Sequence, residues 1–426
     1  MTSYSQQALD QLERGQLDQF KKAYASALRH DDDDTLYSLA EELYSLGFLN
    51  QSKRIYEKLL KQYPDEDDLR VNLADVLIDD DKNDEALTLL NEVSKDSPAY
   101  VRSLMVAADL YQTQELFEVS EQKLLEAMQL APDEPAIQFA LAELYFVMRE
   151  FKKAIPLYLD LIKQGIPEFS SVNLVERIGV AYANAGKFEQ AVGYLKQIHS
   201  GDMTPDVKFE TAFTYLQLKN YKPAITLFEE LKETDPQYTS LYPYLGQALV
   251  AENRLDDALK ALQEGLGVDQ YNEKLWSYAA DIAARVEDES LTETYLKKGH
   301  DLEPDDLDIV IKLSNLYVKQ GRFQETVDFL ADYVGQDNVD PQLYWNLATS
   351  YARLEDYDQA NRYYQAAAPY FMDQADFLKP AVYFFREMGE RDQMLKLLHA
   401  YVKVVPDDAE MAEILENEED KEDNDY

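Results

Sequence analysis

The chain has no cysteine. That excludes disulfides, thiolate metal sites and cysteine nucleophiles, and it fits a reducing compartment without fixing one. Glycine and proline are scarce, 14 and 15 in 426 residues, so the punctuation of short strands and hairpins is thin and an all-helical chain is the simplest reading. No apolar run is long enough to span a bilayer; the longest candidate, Phe139 to Met148, is interrupted by Glu143. The opening MTSYSQQALDQLERGQ has neither a basic nor an apolar leader region. Positive charge is short as well: 82 acidic residues stand against 41 basic ones, a formal net charge of -41. Such a surface repels phosphate backbones and anionic headgroups. The expectation is a soluble cytoplasmic protein with basic partners, no direct nucleic-acid contact and no membrane insertion.

Catalytic signatures are missing too. There is no G-x-x-x-x-G-K-[ST], G-x-G-x-x-G or G-x-S-x-G, and the lone GLG at Gly265 to Gly267 reads as the end of a helix. The histidines, His30, His199, His300 and His399, are far apart, and none has a second histidine at helical spacing. Asp31, Asp33 and Glu42 sit at calcium-loop spacing, but Leu36 occupies the place that needs glycine. The run Asp32 to Asp34 reads instead as a helix start, where orphan N–H groups favour anions. No catalytic residue, cofactor or metal ligand is expected.

What the sequence does contain is a period of 34. LATSYARLEDYDQANRYYQAA, Leu347 to Ala367, repeats in outline along the chain. Leu347-Ala348 aligns with Leu39-Ala40, Leu73-Ala74, Leu141-Ala142 and Leu245-Gly246; Tyr351 aligns with Tyr111, Tyr145, Tyr182, Tyr215 and Tyr317. Ala360 aligns with Ala86, Ala154, Ala191, Ala224 and Ala258, and Pro64, Pro98, Pro132, Pro236, Pro304 and Pro406 close units. Each unit holds two amphipathic helices, A and B. Where they cross most closely the side chain must be small, and only Val382 departs from Ala, Gly or Ser there. One unit cannot bury its apolar faces alone, so neighbours must stack.

This pattern resembles the tetratricopeptide repeat (TPR), in about twelve copies, and AADLYQTQELFEVSEQKLLEAMQLAPDEP looks like the YpiA-type cytoplasmic TPR proteins of Gram-positive bacteria. The resemblance implies an all-α, right-handed TPR superhelix, an α-solenoid, without catalytic activity. The organisation expected is a degenerate first repeat or cap over 1–32, a solenoid over 33–406, a capping helix over 407–416 and an acidic disordered tail over 417–426. The interval widens to 37 at GIPEFSSVN, marking 165–173 as a joint or hinge.

In this family helix A lines the inner surface. Its inner places here give an acidic, aromatic line, Tyr37, Glu41, Tyr44, Asp75, Asp109, Phe139, Glu143, Phe146, Phe209 and Phe213. Further on, Arg285, Lys319, Arg353 and Arg386 give a basic strip. Lysine and asparagine places that hold chaperone tails in some relatives carry Glu41, Asp75 and Asp79, so that clamp is not expected at this end. The function implied is a non-enzymatic scaffold whose N-terminal groove takes a basic or amphipathic protein segment. The alternative is an assembly or regulatory platform, for a membrane-associated or nucleic-acid-related complex, recruited through a partner. The acidic tail lies within reach of Arg353, Lys379 and Arg386; it reads as a solvated block that aids solubility, or as a competitor for that strip.

Overall fold

The computed structural model describes residues 3–334 and 339–424, and the chain divides into two compact units, Met1–Leu218 and Lys219–Tyr426. Twenty-five α-helices occur among the described residues, twelve A–B pairs and a final helix Ala409–Asn424. The all-α repeat architecture is as expected. Side chains begin many A helices: Asp32 accepts from the Thr35 N–H at 2.9 Å, and Asn173 from Val175 N–H at 2.9 Å. This explains part of the acidic excess, because a carboxylate satisfies orphan donors at a helix start. Asp31, counted above as a calcium-loop position, accepts from the Tyr4 and Ser5 N–H groups at 3.1 and 2.6 Å. Among the described residues no His, Asp and Glu group forms a metal cage.

The crossing residues behave as the pattern requires. Ala40, Ala74, Ala142, Ala212 and Ala348 are fully buried. Gly179 and Gly246 occupy the same place; a β-carbon on Gly179 would lie 2.6 Å from the Leu195 side chain. Large rings fill the space beside the crossings, Tyr56, Tyr158, Phe228 and Phe385 among them. Gly265 to Gly267 stand in the last turn of a B helix, as expected, and Gly265 has a packing role besides. It lies within helix Leu255–Val268, and a β-carbon there would meet Tyr242 Cβ at 2.7 Å. Its role is close helix approach.

The A–B turns share one backbone device. In the fourth repeat Leu116 N–H donates to the Tyr111 carbonyl and Glu115 N–H to that of Gln112, with Glu115 at φ 60°. This closure requires a left-handed residue. Gly47, Gly186, Gly321 and Gly389 supply it in some repeats, but Glu115, Glu287 and Glu355 adopt it in others. An L-residue pays roughly 1–2 kcal/mol there, partly offset by glycine's greater freedom when unfolded. Changing each of these three exposed glutamates to glycine is expected to stabilise its unit by about 0.5 kcal/mol, read as a higher urea midpoint.

Two expectations about boundaries meet a different structure. The 165–173 segment forms a hairpin, Glu168–Phe169 paired antiparallel with Val172–Asn173, and Phe169 stacks on Phe139 at 4.6 Å. The boundary between the two compact units lies after Leu218, outside this segment. At the far end, Met411 is buried and Ile414 and Leu415 pack beside the last pair. The helix then continues to Asn424 where an unstructured tail was expected. Glu418 pairs with Arg391 at 3.3 Å and Glu419 with His399 at 3.6 Å. Glu418 and Glu419 thus lie along the last B helix, and Glu418 engages Arg391 where competition for Arg353, Lys379 and Arg386 was one expectation. Residues 425–426 lie outside the described residues.

Candidate functional site

In the first unit the A helices Asp33–Ser45, Asp67–Asp79 and Tyr100–Thr113 bring an acidic cluster together. Asp75 is ion-paired with Arg102 at 2.8 Å, yet its pKa is pushed up to about 6. Burial is the main cause; Arg102 opposes it, and Asp79 and Asp109 add repulsion. Asp109 is raised as well, by its surroundings and by Asp79, although its side chain is open to solvent. Tyr44 hydrogen-bonds Asp79 and is held above the usual phenol range, chiefly by burial. Tyr37 accepts from Asn72 Nδ2 at 2.8 Å and meets Tyr56 edge-on at 6.0 Å. Glu41 is exposed on the same helix as Tyr37 and Tyr44.

The aromatic half of the line has partners within the unit. Phe139 is covered by Phe169. Phe146 meets Phe151 edge-on at 5.6 Å and lies under the Arg177 guanidinium at 4.6 Å. Arg177 also donates to Glu143 at 3.0 Å, and Glu143 accepts from the Tyr158 hydroxyl. Phe209 and Phe213 stack on each other at 6.3 Å, and Phe188 meets Phe213 edge-on. These rings are half-buried. Sequence reasoning missed Arg102 and Arg177, the two cations that organise this surface. Arg102 was detectable as a reversed charge at the second place of the fourth repeat.

In the second unit Arg285, Lys319, Arg353 and Arg386 are all exposed. Asp281, one turn before Arg285, pairs with Lys312 at 2.9 Å, on the next A helix. Lys319 is held by Glu289 at 2.7 Å. Lys319 and Arg353 border a groove of about 790 Å³, between helices Leu307–Lys319, Pro341–Arg353 and Ala375–Glu387.

Paired helices at 34-residue spacing, with small residues buried at each crossing, define a tetratricopeptide repeat protein, a class that generally mediates protein–protein interactions and is generally non-catalytic. Tetratricopeptide repeat models match residues 45–108 and 206–238. YpiA-like repeat models match 112–166 and, as C-terminal repeats, 341–408. The chain is 31% identical over 423 residues to the "TPR repeat-containing protein YpiA" of Bacillus subtilis (strain 168), covering 99% of each chain. It belongs to the YpiA-like TPR family. A more distant match is the "Protein CTR9 homolog" of Arabidopsis thaliana, 23% identical over 267 residues, 59% of this chain and 24% of that protein. Among solved structures, the Cut9–Hcn1 hetero-tetramer of APC/C matches with 12% identity and a TM-score of 0.39, over 96% of this chain and 95% of that one. Among the described residues no helix is long and apolar enough to cross a membrane.

Proposed function

We infer that the chain is a non-enzymatic binding scaffold whose N-terminal groove takes a lysine- or arginine-bearing protein segment. One observation carries this reading: Asp75, Asp79 and Asp109 come together on neighbouring A helices, and burial, with some repulsion from the other two carboxylates, raises the pKa of Asp75 to about 6 against its paired counter-charge Arg102. An incoming cation relieves that repulsion, and Glu41, Tyr37 and Tyr44 border the same place. The rings of Phe139, Phe146, Phe209 and Phe213 support the groove wall and offer their exposed portions to apolar side chains. Cytoplasmic residence belongs to the same reading, supported by the absence of cysteine.

The pH dependence follows from the sign of the shift. Asp75 is largely ionised above its pKa and loses its charge as pH falls through about 6, so a cationic ligand is held less tightly on the acid side. A ten-residue peptide alternating lysine and leucine is expected to bind the full chain several-fold more weakly at about pH 5.5 than at pH 7.5. Raising salt should weaken it further. Glu41→Lys with Asp109→Lys, both exposed sites, should weaken it by at least about tenfold in anisotropy titrations. Binding indifferent to salt, pH and both substitutions would place the site elsewhere.

A further inference from the structure

The wide interval at 165–173 puts extra chain between the B helix Phe151–Lys163 and the A helix Leu174–Asn184. That chain is the hairpin that lays Phe169 over Phe139, with the two ring planes 28° apart. Phe139 stands on the A helix Pro135–Val147, one turn before Glu143. The hairpin therefore roofs one ring of the aromatic line.

Little holds it there. Each strand is two residues long, and a two-stranded hairpin is marginal in water without further packing. Its turn also has unsuitable chemistry. Ser170 and Ser171 both have positive φ, 47° and 64°, the pair of signs that a type I′ turn needs and that Asn-Gly adopts most readily. An L-serine is strained in that region, and neither hydroxyl makes a hydrogen bond among the described residues to offset it. Strain of this kind persists only where the surroundings impose it. Here the surroundings are the Phe169–Phe139 stack and the half-buried Ile166 and Val172 beside the same core. The two ends differ. Gly165 has φ 85°, and an added β-carbon there would meet nothing within 4 Å, whereas Leu174 is fully buried at the start of its helix. The segment can thus swing about a free pivot against a fixed end, with neither flanking helix disturbed.

We propose that 165–173 is a displaceable strap that closes the groove at the fifth repeat, and that an apolar side chain of a bound basic segment takes the place of Phe169 on Phe139. While the strap is closed, Phe169 holds that place as a tethered competitor at high effective concentration. Lifting it gives up the ring stack and releases the strain of the serine turn, two opposing effects of similar size. Cationic groups alone engage the carboxylates and leave the strap shut; a segment with an apolar side chain beside its cation opens it. The proposal rests on the scaffold reading for its ligand and adds a switch to that site.

Two probes separate charge from displacement: the lysine–leucine peptide and a lysine–serine counterpart, each titrated against the full chain by anisotropy. Phe169→Ala removes the cover and should tighten the lysine–leucine peptide about three- to tenfold. Ser170→Asn with Ser171→Gly relieves the turn, steadies the strap and should weaken that peptide by a similar factor. The lysine–serine peptide should bind all three chains alike. Hydrogen exchange reports on the strap directly, because the Leu174 N–H donates to the Pro167 carbonyl at 3.0 Å across the base of the hairpin. That amide should exchange faster in Phe169→Ala, slower in the turn variant, and faster in the unaltered chain once the lysine–leucine peptide is saturating. Helical circular dichroism should be the same in all three, since the substitutions lie outside the helices. The proposal is overturned if Phe169→Ala weakens the lysine–leucine peptide or leaves it unaltered, if the turn variant binds it as the unaltered chain does, or if saturation fails to speed exchange at Leu174. If the peptide binds with the dependence on salt and on Glu41→Lys with Asp109→Lys given above while the strap variants change nothing, this proposal alone fails. If neither peptide binds any of the three chains, the scaffold reading fails with it.

Discussion

Replacing Tyr158 with alanine is expected to destabilise the first unit by about 3–5 kcal/mol, enough to unfold part of it at physiological temperature. The Tyr158 ring is fully buried, on helix Phe151–Lys163, and meets Phe146 edge-on at 6.5 Å. Its hydroxyl donates to Glu143, which Arg177 also holds. The carboxylate and burial together keep the phenol far above its ordinary range, so it remains a donor at any working pH; burial is the larger cause. Tyr158→Phe removes only that donor and leaves Glu143 to Arg177, a loss of about 1–2 kcal/mol. Urea unfolding followed by circular dichroism separates the two substitutions. If phenylalanine costs as much as alanine, the hydroxyl network rather than the ring holds this part of the unit together.

Two glycine-to-alanine changes are expected to move stability in opposite directions. Alanine is the better helix former by about 1 kcal/mol, which is the outcome for Gly193, inside helix Phe188–Leu195, where an added β-carbon meets nothing within 4 Å. At Gly265 the same carbon would lie 2.7 Å from Tyr242 Cβ and Cγ, close to the backbone of a side chain that is itself buried and tied by its hydroxyl to the Pro236 carbonyl. Tyr242 cannot swing away without moving its helix. Overpacking of this kind costs about 1–3 kcal/mol, more than the propensity gain, so Gly265→Ala should lower the urea midpoint while Gly193→Ala raises it. Equal signs for the two would show that helix propensity, and not the closeness of the helices, governs these sites.

The helix pairs were legible because the repeat imposes one physical demand many times, a small residue at each crossing and rings beside it. Individual contacts were less legible, since a partner one repeat away has no fixed offset. Asp281 stands one turn before Arg285 in sequence, but Lys312, 31 residues later, reaches it on the adjoining helix. Phe139 looked available because its cover, Phe169, lies in the inserted hairpin, for which no other repeat offers a template. Arg102 and Arg177 fall at places where the surrounding line is acidic, and only the folded chain shows that they pair with Asp75 and Glu143. Glu418 and Glu419 read as part of a solvated tail because their cations, Arg391 and His399, lie on the preceding repeat and not on the same helix.

Those cross-links share a reach. Arg102 to Asp75 spans 27 residues, Arg177 to Glu143 spans 34, Lys232 to Glu264 spans 32 and Arg322 to Glu293 spans 29. Each joins one repeat to the next and goes no farther. Inheritance can therefore act on this chain in whole cassettes: duplicating one 34-residue repeat within a unit adds a single new seam, deleting one replaces two seams by one, and every other bond keeps its old partner. An altered groove residue likewise has few distant dependents, so the ligand preference of one unit can drift while the other unit stays as it was.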